Sequence, residues 1–185
     1  MVANDTKKLS GWISLLVVCG LLITGGITPV HADIEDDPIT APEKPYDRTG
    51  VKMFLEGVLM HTFRYQRSMT DFFGVSLDRA EDAIFRAETR IDELDDEGKN
   101  VADLEGAITQ AKLLIDEAEN AYIAVQIFMD LHSGFDTSGR VVDTLQAGET
   151  VKAVEPELRL VREKIIEAVR VIMAATKNFQ TKNDI

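Results

Sequence analysis

The sequence predicts an all-α protein: an antiparallel three-helix bundle, with coiled-coil-like seams and a long first helix. Three seams of apolar residues predict it, because each repeats at alternating steps of three and four residues over several heptads. Short glycine-containing turns separate the seams, which requires neighbouring helices to run antiparallel. The seam residues are Leu77, Ala80, Ile84, Ala87, Ile91 and Leu94, then Val101, Leu104, Ile108, Ala111, Ile115, Ala118, Tyr122, Val125, Met129 and His132, then Val151, Val154, Leu158, Val161, Ile165, Ala168, Ile172, Ala175 and Phe179.

Residues 1–32 have the features of an export signal. Lys7 and Lys8 precede an apolar run over 13–27, and Pro29-Val30-His31-Ala32 offers a cleavage site. The predicted mature chain begins at Asp33, and we expect it in the periplasm, at the cell surface or outside the cell. An uncleaved membrane anchor and a lipoprotein modified at Cys19 are the alternatives.

Residues 33–49 contain three prolines among acidic residues and no apolar periodicity, which predicts a disordered acidic tether. The alternative is a peptide that another protein recognises. The bundle is predicted over 50–180, with a disordered tail over 181–185.

The first helix is predicted over 50–97, with a crowded apolar face in its first half. At about 1.5 Å per residue it is roughly 24 Å longer than the central helix, predicted over 101–132. Either this overhang packs on another molecule, or the helix breaks at Gly74, with Ser76 as a new N-cap, and the bundle has four helices.

Turn chemistry predicts the ends of the helices. Gly98 suits the left-handed C-cap of the first helix and Asn100 the N-cap of the second. Gly134 suits the C-cap of the second helix, with Phe135 covering Met129. The last helix is predicted over 149–178, with Pro156 close to its start.

The chain is acidic, and this composition excludes two classes of partner. Its net charge is −12, and −13 from Asp33 onward. Such a surface repels nucleic acid and anionic membranes, so we expect neither as a partner. Residues 78–130 have 15 acidic and 5 basic residues, whereas 148–185 have 6 and 7. The last helix is therefore the expected electrostatic neighbour of the first two helices, which are acidic.

The sequence shows no pattern typical of catalysis or of a cofactor site. His61 and His132 lack the Glu-x-x-His spacing of di-iron bundles, and there is no phosphate-binding glycine loop or nucleophile elbow. Two acidic segments are better interpreted as turns than as calcium sites: Asp95-Asp96-Glu97 and residues 136–143. Paired carboxylates are expected on exposed faces, where nothing raises the pKa of one above that of its neighbour.

Three motifs resemble a group of uncharacterised exported helical-bundle proteins of environmental bacteria. They are Phe63-Arg64 with Gln66, Asp103-Leu104-Glu105 with Ala107, and Gly134-Phe135-Asp136 followed by Gly139, Val141 and Asp143. The resemblance covers about 55–179 and implies the fold and export, with no activity. In those relatives the segment matching 63–84 is one helix, so we expect the first helix to be continuous through Gly74.

The function expected from these observations is non-enzymatic interaction with a protein or peptide, or self-association as a homodimer, through the first helix. No cofactor and no small-molecule substrate are indicated. The alternatives are an acidic buffer for metal ions and a periplasmic chaperone-like stress protein, although the Leu-Thr-x-x-Gln motif of the latter is absent. The residues expected to contact the partner are Met53, Phe54, Leu55, Val58, Leu59, Met60 and Phe63.

Overall fold

The computed structural model describes residues 48–183, which form three long α-helices. Helix α1 spans Arg48–Asp96, α2 spans Ala102–Leu131 and α3 spans Thr144–Lys182. The ion pair between Lys182 Nζ and Asp103 Oδ2, 2.5 Å apart, joins the end of α3 to the start of α2. The predicted all-α three-helix bundle is confirmed. The predicted signal, the tether up to residue 47 and residues 184–185 lie outside the described residues.

The predicted seams form the core. Every seam residue is buried or partly buried, and one continuous cluster runs from Phe73 and Val125 to Leu94, Val101 and Phe179. Ala107, Leu114 and Ala121 are also buried, although they lie outside the predicted seam. They widen the buried face of α2, because α2 packs against both other helices.

Helix α1 is continuous through Gly74, as expected, and no four-helix arrangement forms within residues 48–183. The glycine serves packing instead of a break. A Cβ atom placed on Gly74 would lie 2.5 Å from the hydroxyl oxygen of Tyr122 in α2. The missing side chain thus gives Tyr122 the room to approach the backbone of α1.

The turn between α1 and α2 follows the prediction in part, and the turn between α2 and α3 departs from it. Gly98 has the predicted left-handed conformation, with φ +75°. The predicted N-cap is wrong: Val101 holds that position, and Asn100 Oδ1 accepts a hydrogen bond from the N–H of Ala102 at 3.3 Å. The predicted C-cap of α2 is wrong: His132, with φ 34°, takes the left-handed position, and not Gly134. Gly134 has φ +84° and is needed for a second reason as well: a Cβ there would lie 2.1 Å from the backbone nitrogen of Ala147.

Helix α3 begins five residues before the predicted start. The carboxylate of Asp143 accepts hydrogen bonds from the N–H groups of Leu145 and Gln146, which caps the helix at Thr144. Pro156 consequently lies in the helix interior. Five residues before it, the carbonyl of Val151 accepts a hydrogen bond from Gln66 Nε2 of α1 at 2.9 Å.

Ion pairs join α3 to α2, one of the two acidic helices that were predicted as its electrostatic neighbours. Lys164 and Lys182 of α3 lie 2.5 Å from carboxylate oxygens of Glu117 and Asp103 of α2. The hydrogen bond to Glu117 raises the pKa of Lys164.

None of the three helices described carries an apolar stretch of 18 residues suited to crossing a lipid bilayer.

Candidate functional site

The first turns of α1 extend past the rest of the bundle. Leu59 is the first buried side chain in α1, and none from Thr49 to Val58 is buried. We call residues 48–58 the α1 extension. Its 11 residues are about 16 Å long at 1.5 Å per residue. It leaves the bundle at the end where α2 stops and α3 begins, which we call the loop end.

The structure divides the seven predicted partner-binding residues between surface and core. Met53 and Phe54 are 68% and 73% exposed, Leu55 and Val58 are nearly half exposed, and Met60 is partly buried. Leu59 and Phe63 are buried at 8% and 2% exposure. The prediction that these two lie on a binding surface is wrong, because Phe135 and Ala147, which follow α2 in the chain, cover them.

A small second core holds Leu59 and Phe63. It consists of Leu59, Phe63, Phe135 and Ala147, with Met129, Val141 and Val151 packed around it. The rings of Phe63 and Phe135 are stacked, with centroids 4.1 Å apart and an interplanar angle of 15°. This core closes the loop end and fixes the direction in which the α1 extension leaves the bundle.

The loop of residues 132–143 is held by its own hydrogen bonds. Phe135 and Val141 form an antiparallel bridge. Asp136 Oδ1 accepts hydrogen bonds from Ser138 N, Ser138 Oγ and Arg140 N at 2.7–2.9 Å, which hold the pKa of that carboxyl below its usual value. The carboxylates of Asp136 and Asp143 thus build a turn and a helix cap.

The apolar residues of the α1 extension do not continue the core-facing side of the helix. Reading back from Leu59 in steps of three and four, the core-facing positions are Glu56, Lys52 and Thr49. Lys52 Nζ and Glu56 Oε1 lie 3.7 Å apart, as an exposed ion pair. Val51, Leu55 and Val58 each lie one residue before a core-facing position, hence about 100° around the helix axis. The extension therefore carries a separate apolar stripe.

The start of α1 is also the cationic part of the described chain. Residues 48–70 contain four basic residues and one acidic residue, a balance of +3, whereas residues 71–183 contain 13 and 23, a balance of −10. The α1 extension itself holds Arg48, Lys52 and Glu56, a balance of +1, so it combines exposed apolar side chains with a charge opposite in sign to that of the remaining bundle.

A second exposed apolar group lies on α2 at the loop end, and sequence reasoning missed it. Ile123, Ile127 and Leu131 are each more than half exposed and follow one another at steps of four residues. We call these three the α2 outer stripe. No lysine or arginine occurs from residue 113 to 139, whereas Asp116, Glu117, Glu119, Asp130 and Asp136 do. The absence of lysine and arginine over this range can be read from the sequence, whereas the exposed stripe cannot, because heptad periodicity marks only the buried face.

A cleft of about 440 Å³ lies between α1, α2 and the 132–143 loop. Burial raises the pKa of Tyr122 in this cleft, and the carboxylates of Asp71 and Asp78 add to the effect, while a hydrogen bond with Gln126 opposes it. The cleft is lined by Phe63, Arg67, Thr70, Asp71, Tyr122, Gln126, Met129, Asp130, His132, Asp136 and Thr137.

In the part of the chain described, no three histidines or carboxylates come close enough to hold a metal ion.

One pair of carboxylates departs from the sequence-based expectation. Partial burial raises the pKa of Glu119 in α2, and a hydrogen bond with Glu81 of α1 raises it further. The expectation that no carboxylate would have a raised pKa is therefore wrong, because α1 and α2 bring these two side chains together at their interface.

Comparisons of the chain with protein-family models, with curated proteins and with solved structures found no match.

Proposed function

We propose that this protein is a non-enzymatic, exported helical-bundle protein that binds another polypeptide through the α1 extension. The observation that carries the proposal is the separate apolar stripe of the extension, at which Phe54 is 73% exposed beside Val51, Leu55 and Val58. Large apolar side chains grouped on one exposed helix face are typical of a helix that docks on another protein.

The rigidity of the support favours binding through this segment. The extension continues a 49-residue helix that is anchored by Leu59 and Phe63 in the second core. A partner would therefore meet a helix that is already directed away from the bundle, and little conformational entropy would be lost on binding.

Site-specific photo-crosslinking in expressing cells tests the proposal. A benzophenone amino acid replaces Phe54 in one variant and Phe85 in another. Phe85 is the matched control, because it lies on the same helix and is 69% exposed, yet lies outside the extension. We expect a protein adduct at position 54 and none at position 85. Adducts at neither position, or equally at both, would contradict the proposal.

A further inference from the structure

We propose that the partner of the α1 extension is a second copy of this chain, and that the extension docks on the α2 outer stripe of that copy. Two such contacts form reciprocally about a two-fold axis. This inference rests on the proposed function, because it identifies the partner of the same extension.

The two surfaces match in length and position. The extension projects about 16 Å beyond the loop end, and the stripe from Ile123 to Leu131 covers about 12 Å of α2 that ends there. When two copies meet antiparallel with their loop ends together, each extension runs alongside the last two turns of α2 in the other copy. Each apolar stripe can then cover the other.

The charges of the two surfaces are complementary. The extension, residues 48–58, has two basic residues and one acidic residue, a balance of +1. From residue 113 to its end, α2 has four acidic residues and no lysine or arginine, and only Glu117 among the four pairs with a lysine of its own chain. Pairing of extension with extension would bring like charges together, whereas pairing of extension with α2 brings opposite charges together. The second copy supplies the anionic surface that the extension lacks in its own bundle.

The available area requires two contacts. Val51, Phe54, Leu55 and Val58 together expose on the order of 400 Å² of apolar surface, about half of the roughly 800 Å² per partner that a stable complex buries. In the two-fold arrangement each chain contributes one extension and one outer stripe. The buried area then reaches the size of an ordinary specific interface.

The first measurement is the mass in solution, by size exclusion coupled to light scattering. The protein is purified from expressing cells, and intact mass spectrometry establishes which residues it contains. We expect a dimer. Phe54→Ser with Leu55→Ser, and separately Ile123→Ser with Ile127→Ser, should each weaken dimerisation by about 100-fold or more. Phe85→Ser is the matched control, because this α1 residue is 69% exposed and lies 26 residues after Leu59, away from the loop end, and the variant should remain dimeric.

Mixing the two defective variants tests the reciprocal exchange directly. Each variant alone loses both contacts of its homodimer. In the mixed pair one contact is intact, because the unaltered extension of one chain meets the unaltered outer stripe of the other. We expect a heterodimer that is weaker than the wild-type dimer but clearly stronger than either variant alone. A mixture that stays monomeric, or a stripe variant that stays fully dimeric, would overturn the proposal.

The outcomes separate this inference from the proposed function. A wild-type chain that is monomeric at about 100 µM, with a Phe54 adduct to a different protein, would overturn the second copy as partner and leave the function intact. A monomer without any adduct would overturn both. A monomer that binds vesicles of anionic lipid, and loses this binding with Phe54→Ser and Leu55→Ser, would replace the protein partner by a membrane.

Discussion

At Gly74, α1 presents no side chain to α2, and the hydroxyl of Tyr122 occupies the space. Alanine in a helix interior is ordinarily more stable than glycine by about 1 kcal/mol. Here we expect Gly74→Ala to lower the free energy of unfolding by about 1–2 kcal/mol, because the added methyl group overlaps with Tyr122. Urea denaturation followed by circular dichroism measures the change.

Gly106 provides the matched control for this substitution, because nothing lies within 4 Å of a Cβ placed there. Gly106→Ala should raise the free energy of unfolding by about 0.5–1 kcal/mol. Adding Tyr122→Phe to Gly74→Ala should recover part of the loss, since it removes the nearest atom. A stabilising Gly74→Ala would show that the contact with Tyr122 does not limit the approach of α1 and α2.

The carboxyl pair of Glu119 and Glu81 predicts a pH dependence of stability. The pKa of Glu119 is raised in the folded state by burial and by Glu81, so the folded protein holds this proton more tightly than the unfolded chain. The contribution of this group to the free energy of unfolding is fully present below the unfolded pKa, near 4.5. It decreases as the pH rises through the folded pKa. Glu119→Gln should therefore raise the melting temperature at pH 7, with the gain vanishing at about pH 4.

Glu117→Gln is the control, two residues away on α2. Its carboxylate lies 2.5 Å from Lys164 Nζ, so its neutralisation should not stabilise the protein at pH 7. If Glu119→Gln behaves like Glu117→Gln at both pH values, the contact with Glu81 does not form in solution.

At the scale of the element, α1 has two parts with different roles, and substitutions should separate them. Phe63→Ser removes a side chain that is 2% exposed and should lower the free energy of unfolding by about 3–5 kcal/mol. Phe54→Ser with Leu55→Ser should change it by less than about 0.5 kcal/mol in dilute protein, where association contributes little. Chemical denaturation measures both. Equal losses would mean that the extension is also core.

The same helix shows why its core boundary was missed in the sequence. The buried side of α1 continues from Leu77 through Phe73, Thr70, Gln66 and Phe63. Two of these are polar, so the apolar periodicity stops at them. Hydrogen bonds compensate part of the cost of burying them: Thr70 Oγ1 donates to the carbonyl of Gln66 at 2.8 Å, and Gln66 Nε2 donates to the carbonyl of Val151 in α3. Gln66 Oε1 is buried without a hydrogen-bond partner among the described residues. Val151 belongs to a helix more than 80 residues away, which no local pattern reveals.

At the scale of the whole molecule, the sequence predicted what depends on periodicity. The three helices, their antiparallel order, the seams and the matching of α3 to acidic α2 all follow from spacing and charge counts. The loop end did not follow, because it depends on a non-local core between Phe63 and Phe135 and on a helix start capped by Asp143. The exposed residues of the extension were predicted, and the α2 outer stripe was not.

The absence of basic residues from residue 113 to 139 also determines how the molecule can be dissected. Trypsin cuts after lysine and arginine, so it releases residues 113–140 as one peptide that contains the whole α2 outer stripe. Cleavage after Lys52 and Arg64 releases residues 53–64, which carry Phe54, Leu55 and Val58. The two surfaces that the second copy would join therefore fall on two separate peptides. Mass spectrometry of tryptic digests after crosslinking can follow each surface on its own.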